Sequence, residues 1–241
     1  MCTVTIIPKG ENEFVLTSNR DEAPNRISFA PDFYTINETK VLFPKDELSG
    51  GTWIGLSEKN RLVCVLNGGV VYHEHKPEYR LSRGVVAKDF LISDVLKTTI
   101  DTYNFQDIEP FTMVIVDWNE ALKFYELVWD GSETYFTVLP NEPKIWSSST
   151  LYNKNMKADR LKWFDVFKSK NELDSNSILK FHKTAGKGNA EYGVIMNRGY
   201  VKTTSITQVE KRRDSVEMTY ESLLNNSIAS KTFHISEGVN E

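Results

Sequence analysis

Apolar and polar residues alternate near the amino end of the chain, which is the pattern of a half-buried β-strand. Residues 2–7 and 13–18 both follow it, and the sequence Pro-Lys-Gly at 8–10 is typical of a turn. The pattern therefore predicts a hairpin. Such a hairpin brings residues 19–22, with the sequence Asn-Arg-Asp-Glu, to the same end of the sheet as Cys2.

Residue type and spacing predict further strands and helices. Segments rich in β-branched or aromatic residues predict strands at 61–66, 112–117, 122–129, 144–146, 192–196, 200–209 and 216–220, with a hairpin turn at Asp130-Gly131. Apolar residues at helical spacing predict helices after Ser82, over 159–167 and after Asp174, the last with His182 facing inward. This order suits an α+β fold in which two antiparallel sheets lie between layers of helices.

Length and composition fit one globular domain. The chain has 241 residues, of which 40% are hydrophobic and 12% aromatic, enough to fill packed sheets. No repeat, low-complexity block or linker divides the sequence, so we expect a single domain over residues 1–241. Residues 227–241 are polar and are expected to form a tail.

Charge and cysteine content argue against several classes of protein. The net charge of −4 and the pI near 5.7 disfavour a nucleic-acid-binding protein, which needs clustered basic residues. Two cysteines do not make a disulfide framework, which favours a cytoplasmic location. No apolar stretch approaches the roughly 20 residues of a membrane-spanning helix. The expected partner is a small-molecule substrate or ligand, and the sequence leaves the oligomeric state open.

Cys2 follows the initiator Met1, and its small side chain permits removal of that methionine. The mature residue would then carry both a thiol and a free α-amine. A thiol with a pKa of about 8.5 is a nucleophile once deprotonated, and an α-amine with a pKa of about 7.7–8.0 accepts its proton near neutrality. The alternative is an ordinary small residue that opens a strand.

Arg20 and Asp21 place opposite charges at the end of the hairpin where Cys2 is expected. An arginine favours the thiolate form of a nearby cysteine, and a carboxylate holds and orients an amine. Taken alone, the same four residues also fit a solvated turn with a local ion pair.

Several motifs, taken in order, resemble those of the NRDE family, also called the transport and Golgi organisation family. The closest matches fall within about the first 90 residues, at 1–3, 17–22, 42–46, 50–55 and 64–69. Looser matches follow at 146–153 and 203–207.

The NRDE family is similar to the N-terminal nucleophile hydrolases, above all to the choloylglycine hydrolase and penicillin V acylase branch. The resemblance implies a four-layer α-β-β-α sandwich. It also implies catalytic roles, which fall here on Cys2, Arg20, Asp21, Asn67 and Arg160. Asn67 matches an asparagine that helps form the oxyanion hole in that branch, and Arg160 is the best match for an arginine on a downstream helix.

Three further residues are expected at the substrate. Asn19 precedes the two charged residues, and Ser148 lies where the hydrolase branch has a second oxyanion-hole asparagine. Trp53 follows Gly50-Gly51, where glycine lets the backbone approach a ligand closely. A tight turn with a buried tryptophan explains that last segment equally well.

His73 and His75 lie two residues apart, so in an extended segment their side chains point the same way. A metal pair is geometrically possible, but no further ligand motif accompanies it. We expect a solvated loop, with lining of a substrate cleft favoured over metal binding. No metal and no cofactor are expected.

Together, the residues and the resemblance predict an N-terminal cysteine hydrolase that acts on a non-peptide amide, the N-acyl bond. A second hypothesis is a non-catalytic protein that binds or carries haem or a lipid, since the NRDE family is linked to both. A third is an inactive sandwich that retains the amino-terminal sequence.

Overall fold

The computed structural model describes residues 3–234, and two antiparallel sheets dominate this part of the chain. The first sheet contains, in spatial order, β10 (Lys144–Ser147), β1 (Thr3–Lys9), β2 (Glu13–Glu22), β11 (Lys202–Arg212), β12 (Ser215–Ser222) and β13 (Ser227–His234). The second contains, in chain order, β3 (Ser28–Ile36), β4 (Thr39–Asp46), β5 (Ile54–Ser57), β6 (Arg61–Asn67), β7 (Phe111–Asp117), β8 (Lys123–Trp129) and β9 (Thr134–Leu139).

The helices cover the outer faces of the two sheets. They are α1 (Arg83–Ile92), α2 (Leu96–Thr102), α3 (Lys154–Lys168) and α4 (Ser175–Thr184). Val86 and Phe90 of α1 pack on the second sheet, whereas Phe164 and Phe181 of α3 and α4 pack on the first. A third apolar cluster fills the space between the sheets. The layers therefore follow the expected α-β-β-α order.

The amino-terminal hairpin forms as the alternation predicts. Val4, Ile6 and Leu16 point into the space between the sheets, while Ile7 and Val15 point to the helices. Because side chains of a strand alternate between its two faces, this assignment also fixes the faces of the residues that follow in β2.

Several elements differ from the sequence-based expectation. The segment 192–196 forms turns rather than a strand, and β3, β4, β5, β9 and α2 were not predicted. Residues Ser227–His234 of the expected tail pair with β12 as an edge strand, and residues 235–241 lie outside the described part. Of the apolar residues whose helical spacing predicts α3, Leu161 is exposed and Phe164 is buried, and His182 of α4 is buried, in agreement with its predicted inward orientation. No helix within residues 3–234 has the length and apolar character needed to cross a membrane.

Candidate active site

The predicted site surrounds the amino end of β1. Thr3, the first described residue, pairs with Asn19 on one side and with Ser147 on the other. Cys2 itself lies outside the described residues, so its placement stays a prediction. The neighbouring strands nevertheless locate the other predicted residues, which fall on two different faces of the first sheet.

Arg20 lies on the face of β2 that looks toward the second sheet, and it is almost fully buried. Its Nη2 lies 2.6 Å from Oδ2 of Asp46, and its guanidinium stacks over the ring of Trp53 at 4.7 Å. Glu22 lies farther away, with 3.7 Å between charged atoms. The positive charge of Arg20 is therefore balanced mainly by Asp46.

Asp46 is the centre of this charged group. It accepts hydrogen bonds from Arg20, from Nε and Nη2 of Arg26, and from the backbone amide and hydroxyl of Ser49. Burial by itself raises the pKa of Asp46, but the hydrogen bonds from Arg26 and Ser49 outweigh it and hold the pKa below its usual value. Burial also lowers the pKa of Arg20. Arg20 keeps its charge because a guanidinium does not lose its proton in proteins.

A cavity of about 440 Å³ opens beside Arg20. Its wall combines the ends of β2 and β4, the segment just before β5, the end of β6, and the segments around the start of α1 and before β7. The lining residues include Arg20, Trp53 and Asn67 from the predicted site, together with Glu22, Arg26, Asp46, Ser49, Thr52, Val65, His75, Tyr79, Leu81, Ser82, Arg83, Gly84 and Glu109. The indole Nε1 of Trp53 has no hydrogen-bond partner among the described residues.

Gly84 lets the first turn of α1 pack closely against Gly51 and Thr52 at the cavity wall. A β-carbon at this position would lie 3.0 Å from both the backbone nitrogen and the backbone oxygen of Thr52. It would also lie 3.2 Å from the α-carbon of Gly51. Gly51 therefore packs closely against the first turn of α1, a contact that was not among the two roles expected for this segment.

Asn67 ends β6 at the edge of the cavity. Its backbone carbonyl accepts a hydrogen bond of 2.7 Å from the hydroxyl of Ser148, so these two predicted residues are in contact. Gly68 follows with a φ of +87°, and Asn67 pairs with Phe111 of β7. The Asn-Gly pair therefore starts a long excursion rather than a tight hairpin. Ser148 is buried and does not line the cavity.

Asp21 lies on the opposite face of β2 from Arg20, toward the helices. Its Oδ2 accepts a hydrogen bond of 2.6 Å from the hydroxyl of Tyr152, and its Oδ1 accepts one of 2.6 Å from Thr203. Two short hydrogen bonds from hydroxyl groups fix the orientation of this carboxylate.

Arg160 of α3 is buried beside the first residue of β1. Its guanidinium donates to Oγ1 of Thr3 and to the carbonyl oxygens of Tyr192 and Gly193, the last two at 2.9 and 2.8 Å. The same group lies over the ring of Tyr152 at 3.6 Å. Arg160 and Asp21 thus share Tyr152 as a common neighbour.

Asn19 does not reach the cavity. It is fully buried on the helix side of β2, where its amide nitrogen donates to the carbonyls of His182 and Val194 at 3.0 and 2.6 Å. Its amide oxygen contacts Nδ1 of His182, whose Nε2 lies 2.8 Å from the hydroxyl of Thr5. Burial lowers the pKa of His182 to about 3, and the nearby Arg160 adds to the effect. The described contacts of Asn19 all lie on the helix side of β2, and its expected role at the substrate stays a prediction.

His73 and His75 contact one carboxylate, that of Glu109. Nε2 of His73 and Nδ1 of His75 lie 3.3 and 3.2 Å from its Oε1, while Nη2 of Arg83 lies 2.9 Å from its Oε2. The two imidazoles point the same way, as their spacing predicts, and His75 lines the cavity. Within residues 3–234, His, Cys, Asp and Glu side chains form no group of three or more suited to a metal ion.

Cys64 lies in the middle of β6, fully buried between the two sheets. Burial raises the pKa of its thiol to about 12, although a hydrogen bond with Ser18 opposes the shift. A thiol in this state behaves as a small apolar group and not as a nucleophile.

Sequence reasoning missed most of the cavity wall. Asp46 of the cavity wall, and Tyr152 and Thr203 beside Asp21, stand within motifs that carry the family resemblance, but the motifs alone indicate no role for them. Arg26 lies only six residues after Arg20, but no motif marks it, and Tyr79, Arg83 and Glu109 belong to a distant segment whose approach to the cavity no local pattern predicts.

Comparisons with known proteins show the family to which the chain belongs and the fold that it shares. The family model described as Transport and Golgi organisation 2 matches residues 1–227. A mouse protein, the Transport and Golgi organization 2 homolog of Mus musculus, is 33% identical over 92 residues, covering 37% of this chain and 32% of the mouse protein. The matched region therefore spans about a third of the mouse relative.

Solved structures with a similar fold share little sequence identity with the chain. A variant of the conjugated bile acid hydrolase from Clostridium perfringens has a TM-score of 0.60 and 10% identity, covering 99% of this chain and 100% of that one. Penicillin V acylase from Agrobacterium tumefaciens has a TM-score of 0.58 and 11% identity, with coverages of 98% and 87%. The Caenorhabditis elegans ortholog of N-acylethanolamine-hydrolyzing acid amidase has a TM-score of 0.57 and 11% identity, with coverages of 86% and 92%. The chain thus belongs to the Transport and Golgi organisation 2 family and has the fold of the N-terminal nucleophile hydrolases.

Proposed function

We propose that the protein is an N-terminal cysteine hydrolase that cleaves a non-peptide amide bond. The observation that carries this proposal is the position of Thr3. Thr3 pairs with Asn19 of β2 on one side and with Ser147 of β10 on the other. Arg20 and Ser148 are the residues that directly follow these two partners in the chain. Cys2 is the residue that directly precedes Thr3 in the chain. The thiol is therefore expected near the cavity beside Arg20.

The proposed reaction has two steps. In the first, the Cys2 thiolate attacks the carbonyl carbon of the amide, the C–N bond breaks, and the amine leaves with a proton from the α-ammonium group of Cys2. In the second, water attacks the thioester while the α-amine takes up a proton, and the carboxylic acid and the thiolate are released. Asn67, one of the residues that line the cavity, is proposed to donate a hydrogen bond from its side-chain amide to the oxyanion.

The charged residues have supporting roles in this proposal. Asp21, oriented by Tyr152 and Thr203, holds the α-amine. Arg160 positions the start of β1 through Thr3. Arg20 favours the thiolate, but its pairing with Asp46 weakens that effect because the carboxylate offsets its charge.

Thioester capture tests the proposal. The untagged protein, whose mass should correspond to a chain beginning at Cys2, is mixed with a panel of N-acyl amines and N-acyl amino acids and quenched in acid. We expect at least one compound to add its acyl mass to Cys2, while Cys64 stays unmodified because it is buried with a pKa of about 12. Asn67→Ala should reduce acylation by roughly 100- to 1,000-fold. The exposed Asn176→Ala serves as the matched control.

Two results would contradict the hydrolase. One is complete retention of Met1, which leaves no free amine on Cys2. The other is a haem or lipid ligand that binds tightly, stays intact and never acylates Cys2. The second result would favour the carrier hypothesis, above all if Cys2→Ser bound the ligand equally well.

A further inference from the structure

Charged and hydrogen-bonding groups make up most of the cavity wall. Three arginines and three carboxylates line it, whereas Val65 and Leu81 are its aliphatic members. A long hydrocarbon chain in this space would remove water from the charged groups without replacing their hydrogen bonds, which is unfavourable. The cavity therefore suits a small polar ligand.

The carboxylates of the wall already have donors. Asp46 is surrounded by Arg20, Arg26 and Ser49. Glu109 is contacted by Arg83 through one oxygen and by two imidazoles through the other. These acids have little remaining capacity to bind a cationic ligand.

Arg26 differs because it keeps donors that face open space. Its side chain lines the cavity and is 35% exposed, against 3% for Arg20. Nε and Nη2 donate to Asp46, and Nη1 lies 3.4 Å from Glu22. A guanidinium carries five N–H groups, so donors on both terminal nitrogens are left without a partner in the described part of the chain.

We infer that the cavity selects an amide that carries a carboxylate group, and that Arg26 binds this carboxylate. The ligand class is the short-chain N-acyl amino acid. This inference rests on the proposed function and names the substrate class for the same site. Arginine suits the role because its planar fork pairs with both oxygens of a carboxylate.

Binding to a Cys2→Ala variant tests the inference without requiring turnover. The ligands are N-acetylglycine and N-acetylglycinamide, which have nearly the same shape and differ in charge. Titration calorimetry or ligand-observed NMR should give N-acetylglycine about a tenfold lower Kd at low ionic strength. N-octanoylethanolamine, with a long apolar chain and no carboxylate, should bind more weakly than N-acetylglycine.

Arg26→Gln in the same background should abolish the preference for the carboxylate. Asp46 keeps Arg20 and Ser49 as donors in that variant, so the fold should tolerate it. Arg212→Gln is the matched control, since Arg212 is an exposed, ion-paired arginine at the far end of β11. The Arg212→Gln variant should prefer N-acetylglycine over N-acetylglycinamide as strongly as the Cys2→Ala protein does.

Equal affinity for the two glycine compounds, or tighter binding of N-octanoylethanolamine, would overturn the inference. Its failure is distinct from failure of the hydrolase. A thioester formed on wild-type Cys2 from a neutral long-chain amide would retain the hydrolase and remove the selectivity. A carboxylate preference that depends on Arg26, found without any acylation of Cys2, would do the reverse.

Discussion

Two arginine centres flank the amino end of β1, and they are built differently. On the face toward the second sheet, Arg20 and Arg26 share the carboxylate of Asp46 and border an open cavity. On the helix face, Arg160 is enclosed and donates to backbone carbonyl oxygens and to Thr3. In the first centre, arginines are paired with a carboxylate next to a cavity that opens to solvent. The second has a guanidinium that completes the hydrogen bonding of buried backbone.

The difference predicts how each centre responds to change. A buried group that satisfies backbone carbonyls cannot be replaced by water, so its loss leaves unpaired acceptors. A partly exposed ion pair can be replaced by water at small cost. The enclosed centre should therefore control stability and the open one should control ligand binding.

Arg160→Met should have the largest effect. It removes the donors for the carbonyl oxygens of Tyr192 and Gly193 and for Thr3, and we expect the free energy of unfolding to fall by about 3–5 kcal/mol. Urea denaturation followed by tryptophan fluorescence measures it. Lys162→Met, at an exposed position on the same helix, is the control. A loss equal to that of the control would mean that the enclosed centre does not stabilise the fold.

Asp21→Asn should cost about 1–3 kcal/mol, because an amide offers one acceptor oxygen to the two hydroxyl donors of Tyr152 and Thr203. A double-mutant cycle with Tyr152→Phe isolates the contact. We expect a coupling energy of at least about 0.5 kcal/mol between the two positions. Strict additivity would indicate that the hydrogen bond contributes nothing to stability.

Stability should also depend on pH through His182. Because its folded pKa is lowered to about 3, the unfolded chain, with an imidazole pKa of about 6.5, binds more protons between these values. Stability contributed by the neutral ring is therefore present above about pH 6.5 and is lost as the pH falls toward 3. Between pH 6 and pH 5 the wild type should lose about 1 kcal/mol more than His182→Gln. Parallel curves for the two proteins would contradict this assignment.

Arg26→Gln should have the smallest effect on the free energy of unfolding, below about 1 kcal/mol, since its ion pairs are partly solvent-exposed. The same urea titration measures it. A loss as large as that expected for Arg160→Met would erase the distinction between the two centres.

How much the sequence could predict depends on how local each feature is. The hairpin of β1 and β2 follows from alternation within a few residues, and the helix that begins after Ser82 follows from an equally local pattern, apolar residues at helical spacing. Asn19 shows the limit of that reasoning. Successive side chains of a strand point to opposite faces of the sheet, so a shift of one residue changes which side chains face the cavity. Asn19 packs against His182, while its neighbour Arg20 borders the cavity.

Features that depend on pairing between distant segments were not predictable in the same way. Asp46 reaches Arg20 because β4 ends beside the end of β2, across the space between the sheets. The segment Ser227–His234 has the sequence of a polar tail, because most of its exposed positions are polar, and its strand conformation depends on pairing with β12 and on the contact of Phe233 with Phe33 of β3. A short window of residues predicts neither the contact of Asp46 with Arg20 nor the pairing of Ser227–His234.

The pairing of Asn67 with Phe111 has a consequence for how the family can diversify. The chain leaves the second sheet and returns to it at adjacent positions, so residues 68–110 form an insert with both ends anchored at one place. This insert supplies His75, Tyr79, Arg83 and Glu109, an entire side of the cavity. Substitution within one contiguous stretch would thus alter what the cavity accepts while the strands that hold Arg20, Asp21 and Thr3 keep their register. The part of the cavity wall that the insert supplies can therefore change in evolution independently of the sheet framework.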